Sequence, residues 1–258
     1  MQKECVKFSW RTKPEDHNTQ YLEAMAAYHF IRGYVRGKRV LDAGCAYGYG
    51  THELAQEALE AVGIDFCEEA ITYAKEHYQM PTIRFMVGDI TDLSLTQASF
   101  DALCLFEVLH VAHKPVLILS QARRVLTPGG LLLVSVRRGG DDSGVFQEGA
   151  LSHPFSAQGW KKVFSRYGFE VLEVWGIGRP KDMFALEGEL KKWRAWDILG
   201  LRKIVPRTLI SSLVRRISLH KGITPPQQLT YNDFPVSRDE VDGSPGNIFI
   251  ATKIGKEE

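Results

Sequence analysis

Short apolar runs alternate with amphipathic stretches over most of the chain. "KRVLDAG" (38–44), "AVGIDF" (61–66), "IRFMVGD" (83–89), "FDALCLFEV" (100–108), "LLLVSVR" (131–137) and "FEVLEVWGI" (169–177) predict strands. "GTHELAQEAL" (50–59), "EEAITYAKEHY" (68–78), "PVLILSQARRVL" (115–126) and "SAQGWKKVFSRYG" (156–168) predict the helices between them. Pro128-Gly129-Gly130 reads as the stop after the third of these helices. Continuous apolar strands joined by helices of this length imply parallel strands buried on both faces. Right-handed crossovers then give a doubly wound α/β sheet, with ligands at the carboxyl ends of its strands.

The alternation breaks after the sixth strand. Residues 178–246 precede a seventh, "NIFIATK" (247–253), and carry two helical apolar faces. One runs through Leu186, Leu190, Trp193 and Trp196, the other through Val205, Leu209, Leu213 and Ile217. Within 179–221 there are eleven Lys/Arg against four Asp/Glu. The expectation is one domain over 1–258 with a basic helical insertion, serving as lid, packing element or peripheral membrane contact. Upstream, "YLEAMAAYHFIRGYV" (21–35) predicts a helix packed on the sheet, with Tyr28 in reach of the ligand end.

Composition narrows the classes only a little. The whole-chain charge is +1 and carries no signature of nucleic-acid binding. Cys5, Cys45, Cys67 and Cys104 form no CxxC pair, so neither a zinc site nor a disulfide framework is suggested. The polar N-terminal segment is no signal peptide, and no run is long enough to span a membrane. These features favour a cytoplasmic setting.

The chemistry concentrates in "VLDAGCAYGYG" (40–50), a strand running into a glycine loop that opens a helix. Asp65 ends the next strand, 21 residues after Gly44, an interval suited to a carboxylate accepting from ribose hydroxyls. Asp89 in "VGD" ends the third strand, where a carboxylate can take an adenine amine with Ile90 or Phe66 packed on the ring. Three such signals in chain order favour a ribose–adenine ligand over a bare tight turn. A dinucleotide fits less well, because G-x-G-x-x-G from Gly44 requires glycine where Ala46 and Tyr49 stand.

"VLDAGCAYGYG", "VGIDF", "MVGDI", "FDALCLFEVL" and "ARRVLTPGGLLLVSV" together resemble, in order and spacing, the motifs of class I S-adenosylmethionine-dependent methyltransferases. The resemblance covers about residues 38–138 and implies a Rossmann-like, seven-stranded, mostly parallel sheet, its last strand antiparallel between the fifth and sixth. It implies S-adenosylmethionine as cofactor, with S-adenosylhomocysteine as product. Gly44, Ala46 and Gly48 would line its methionine portion and Asp65 its ribose. Phe66, Gly88, Asp89 and Ile90 would meet the adenine end, and Phe106 would flank the ligand at the fourth strand. "HFIRGYVRGKRVLDAG" and the long tail before "FIATK" resemble more loosely the branch associated with bacterial surface-glycan assembly.

The implied reaction is methyl transfer to a small-molecule or glycan-type acceptor, at oxygen. The alternatives are an NAD(P)-dependent dehydrogenase and a non-catalytic S-adenosylmethionine-binding module. A sulfonium donor needs alignment more than a nucleophilic side chain. A hydroxyl acceptor gains from a base near the strand ends, and His110, His113 and His153 are candidates by position. Glu107 instead faces either the sulfonium or the acceptor. Arg137 and Arg138 hold an anionic acceptor or lie in a solvated loop. No metal is expected.

Overall fold

A computed structural model describes residues 19–93, 99–147, 150, 152–180, 229–238, 241 and 243–255. The two apolar faces expected over 184–217, with their lid and membrane readings, lie outside the described residues. The described chain runs α1 (Thr19–Ile31), β1 (Arg39–Ala43), α2 (Tyr49–Ala55), β2 (Glu60–Asp65), α3 (Glu68–His77), β3 (Ile83–Val87) and β4 (Phe100–Phe106). It continues through α4 (Pro115–Val125), β5 (Leu126–Arg137), α5 (Ala157–Arg166), β6 (Phe169–Ile177), β7 (Val236–Ser237) and β8 (Gly246–Lys253).

These strands form one sheet in the order β3-β2-β1-β4-β5-β8-β6-β7. Pairing is parallel from β3 through β5 and antiparallel where β8 lies between β5 and β6. Among the described residues eight strands are present where seven were expected. The extra one, β7, is two residues long and pairs antiparallel to the end of β6. It comes from the described tail of the 178–246 segment, so this part of the segment joins the sheet. Leu229 and Phe234 of the same tail pack on Leu22 and Ala26 of α1.

The glycine pair at 129–130 does not separate α4 from β5. The strand starts at Leu126, opposite Phe100, and the register slips before Ala102 meets Leu131. Pro128-Gly129-Gly130 is absorbed as a bulge, a use of glycine that propensity alone does not distinguish from a turn.

Central strands are buried on both faces, which is why they read as unbroken apolar runs. One face packs α4 and α5 through Leu119, Trp160, Val163 and Phe164. The other packs α1 and α2 through Tyr28, Ile31 and Leu54. At α5 the Ser156 hydroxyl accepts from the Gly159 N–H at 3.1 Å, a side-chain cap on an otherwise orphaned donor. Cys45 and Cys104 are free and buried, whereas Cys67 is disulfide-bonded, a bond the scattered spacing did not announce. No helix of the described residues is long and apolar enough to cross a membrane.

Candidate active site

Three glycines of the first loop are required for three different reasons. Gly44, at φ +90°, brings the loop against Val108, whose methyl would lie 2.6 Å from an added Cβ. Gly48, at φ +83°, fits between Ala74 and Phe85, both within 2.8 Å of such a Cβ. Gly50 lies under the ring of Tyr28, which would approach an added Cβ to 2.1 Å. Close approach of protein to protein, rather than of ligand to backbone, thus accounts for much of the motif.

Tyr28 uses that approach to reach β1. Its hydroxyl donates to Asp42 at 3.1 Å, and the Thr51 hydroxyl donates to the other Asp42 oxygen at 2.6 Å. Asp42 is buried, and burial pushes its carboxyl up to about 6 against the pull of these two donors. One carboxylate thereby ties α1 and α2 to the strand that carries the loop.

The donors of the loop are largely spent inside the protein. Gly44 and Cys45 both donate to the Ile64 carbonyl, at 2.7 and 3.1 Å, and Gly48 donates to the Cys45 carbonyl at 2.9 Å. The Ala46 N–H donates to Asp65 Oδ2 at 3.0 Å, and the other Asp65 oxygen accepts from the Cys67 N–H at 2.9 Å. Ala46 stands at φ +46°, the left-handed region in which its Cβ is strained. A pyrophosphate wants free amides from such a loop. Four of them are committed here.

At the carboxyl ends of β1, β2 and β4 opens a cavity of 680 Å³. Of the residues singled out in the sequence, Gly44, Ala46, Asp65, Phe66, Asp89, Ile90, Phe106 and His113 line it. Gly48, Gly88, His110 and His153 are not among the lining residues. Gly88 donates to the Asp65 carbonyl at 3.0 Å, so it supports the strand ends from behind. Asp89 Oδ1 accepts from the Thr91 N–H at 2.9 Å and the Thr91 hydroxyl at 2.7 Å, which fixes the carboxylate at the rim. The lining carries three carboxylates (Asp65, Asp89 and Glu107) against one lysine, Lys114. Tyr28, Tyr49 and Phe106 add aromatic rings, with Tyr28 and Phe106 4.4 Å apart between centroids. This wall suits a cation and opposes a pyrophosphate.

A second polar cluster adjoins the cavity at the ends of β4 and β5. Glu107, at φ +57°, receives the Ser135 hydroxyl on Oε1 at 2.9 Å, while its own N–H donates to the Ser135 carbonyl at 2.9 Å. Arg137 lies 3.3 Å from Glu107 Oε2 and 3.7 Å from Glu23 of α1. Burial raises the pKa of both glutamates, against the opposing pull of Arg137. Burial, with Arg137 and His153 nearby, drives His110 down to about 4, so it is neutral at pH 7. His153 is buried and donates from Nε2 to the Ala112 carbonyl at 3.0 Å. Arg137, half-buried, pairs with carboxylates, and the Arg138 N–H donates to the Pro245 carbonyl. Glu23 and Ser135 escaped the sequence reading because nothing local marks them; only the fold brings α1 and β5 to Arg137. Among the described residues no group of His, Cys, Asp or Glu could hold a metal ion.

Comparison with known proteins agrees with this geometry. Residues 41–134 match the family model described as a methyltransferase domain. A probable S-adenosylmethionine-dependent methyltransferase of Mycolicibacterium smegmatis is 35% identical over 120 residues, 46% of this chain and 46% of that protein. A fatty-acid O-methyltransferase of the same species is 29% identical over 155 residues, 59% of this chain and 54% of that protein. The chain thus spans about half the length of these curated relatives. A solved structure of Burkholderia thailandensis 1,6-didemethyltoxoflavin-N1-methyltransferase, with 1,6-didemethyltoxoflavin and S-adenosylhomocysteine bound, shares the fold. Its TM-score is 0.55 at 14% identity, over 91% of this chain and 79% of that one. The fold is the Rossmann-like methyltransferase fold, here with a mixed eight-stranded sheet. The match to a methyltransferase domain is thus to residues 41–134 of this chain.

Proposed function

We propose that the whole chain is an S-adenosylmethionine-dependent methyltransferase acting on a hydroxyl or carboxyl oxygen of a small-molecule or glycan-type acceptor. The observation that carries this reading is the charge of the cavity wall, three carboxylates and four aromatic rings (Tyr28, Tyr49, Phe66 and Phe106) against a single lysine. A cationic nucleoside gains from that wall, whereas the pyrophosphate of NAD(P) would meet repulsion and committed amides. Oxygen as the acceptor atom is supported by the relative named as a fatty-acid O-methyltransferase. Enzyme rather than binding module is supported by the strained Glu107 beside the cavity, since strain of this kind clusters at reacting sites.

Bound in this cavity, S-adenosylmethionine would supply an electrophilic methyl group and a neutral thioether leaving group. Asp65 would accept from the ribose hydroxyls while holding the Ala46 and Cys67 amides. Asp89, Ile90 and Phe66 would enclose the adenine. Gly44, Ala46, Tyr28 and Phe106 would enclose the methionine end. The work left to the protein is alignment of the acceptor oxygen and exclusion of water, effects that can supply on the order of 7–11 kcal/mol at best.

Calorimetry tests the reading. S-adenosylmethionine and S-adenosylhomocysteine should bind, NAD should not, and Asp65→Ala should weaken binding at least tenfold, the loss of charge-assisted hydrogen bonds worth about 1.5–3 kcal/mol. Radiolabelled methyl transfer to a fractionated cell extract then separates enzyme from binding module and identifies the acceptor. Heat with NAD and none with the sulfonium nucleoside would overturn the assignment.

A further inference from the structure

We propose that Glu107 takes the proton from the acceptor hydroxyl, held in its strained backbone conformation by Ser135 and oriented by Arg137. The inference rests on the methyltransferase reading above and names the group that receives the proton in that reaction. Glu107 lines the cavity together with Tyr28, Gly44 and Phe106, and it follows β4, three strands across the sheet from β3, which Asp89 and Ile90 follow. A glutamate at φ +57° is held there against a backbone preference of about 1–2 kcal/mol, so surrounding contacts must enforce it. They are on hand: the Glu107 N–H to the Ser135 carbonyl, and the Ser135 hydroxyl back to Oε1, both at 2.9 Å. Side chain and backbone are therefore locked to the same residue of β5. The second oxygen faces Arg137 Nε at 3.3 Å.

The groups around it divide the labour. Glu23 of α1 shares Arg137 at 3.7 Å and itself feels Arg179, just past β6. Arg137 is divided between the two carboxylates, and burial of Glu107 raises its proton affinity above that of an ordinary carboxylate. The histidines are worse candidates. His110 Nε2 is 3.7 Å from Glu107 Oε2, beyond hydrogen-bonding reach, and its Nδ1 is buried without a partner. His153 uses its ring N–H on the Ala112 carbonyl. His113 is exposed at the cavity rim.

The step balances. The acceptor oxygen forms its bond to the methyl carbon while the carbon–sulfur bond breaks with its electron pair left on sulfur. The hydroxyl proton moves to the Glu107 carboxylate, which releases it to water once the product leaves.

The test is a carboxyl-carbon NMR titration of glutamate-labelled protein, with the Glu107 signal assigned by its loss in Glu107→Gln. With S-adenosylmethionine bound, the added positive charge should make Glu107 titrate at lower pH than with S-adenosylhomocysteine bound, by about one pH unit or more. In the extract assay Glu107→Gln should lose about 100-fold or more in transfer rate while S-adenosylhomocysteine affinity stays within about threefold. Glu107→Asp should recover part of the rate. If both nucleosides bind and the titration is the same with each, or Glu107→Gln transfers at the wild-type rate, the proposal falls and the methyltransferase reading stands. If neither nucleoside binds, both fall.

Discussion

Tyr28 on α1, whose ring lines the cavity, donates its hydroxyl to Asp42 on β1 at 3.1 Å. The pair is buried, and the tyrosine's own pKa is raised well above its ordinary value, first by burial and then by Asp42. A ring that contributes to the cavity wall is thus also the anchor of the helix behind it.

That anchor makes stability depend on pH in a definite direction. Burial lifts Asp42 to about 6 from a reference of 3.8, so the native state holds this proton more tightly than the unfolded chain. The contribution is complete below about pH 4 and is lost as pH climbs through about 6, roughly 3 kcal/mol at most. Urea unfolding between pH 4.5 and 7 should show wild type losing stability relative to Asp42→Asn as pH rises. A difference that is flat with pH would place Asp42 outside this role.

Gly50→Ala should damage the protein through Tyr28. The new Cβ would lie 2.1 Å from the ring, and overpacking of that kind typically costs about 1–3 kcal/mol. S-adenosylhomocysteine affinity should fall as well, because the displaced ring lines the cavity. Gly33→Ala is the control, since nothing stands within 4 Å of its added Cβ; it should change stability by less than about 0.5 kcal/mol. Thermal melts and calorimetry of both variants check the pair.

Ala46→Gly should stabilise. Its φ of +46° is strained for alanine, and relief of about 1–2 kcal/mol is partly offset by the extra freedom glycine gains in the unfolded chain. A net gain of about 0.5–1 kcal/mol should appear as a rise in Tm of about 1–4 °C. A lower Tm would mean that the alanine methyl makes a contact that outweighs its strain.

Much of this architecture is legible in the amino-acid order. β6 runs from Phe169 to Ile177 as its apolar pattern predicts, and β8 extends the predicted strand by only one residue. The buried parallel strands β1, β2 and β4 leave the strongest signature, because neither face tolerates polar residues. That Asp65, Asp89 and Phe106 would line a cavity was likewise readable, since strand ends mark where a doubly wound sheet presents side chains. The glycine loop was legible as a tight passage but not in its cause: the partners of Gly48 and Gly50, Phe85 and Tyr28, come from elements that no local pattern connects to it. β7 escaped because two residues show no periodicity. The Glu23–Arg137–Glu107 grouping escaped because three separate elements must meet before it exists.

The position of β8 has a consequence for how the chain is made. This strand is the last of the eight in sequence, yet it lies inside the sheet, paired to β5 on one side and β6 on the other. While a ribosome is still short of residue 246, β5 and β6 have no common neighbour and each offers the solvent an open edge. Such edges invite association with other nascent chains. Closure of the sheet waits for Gly246–Lys253 to emerge and pair with both β5 and β6, a long-range pairing of the kind that slows folding.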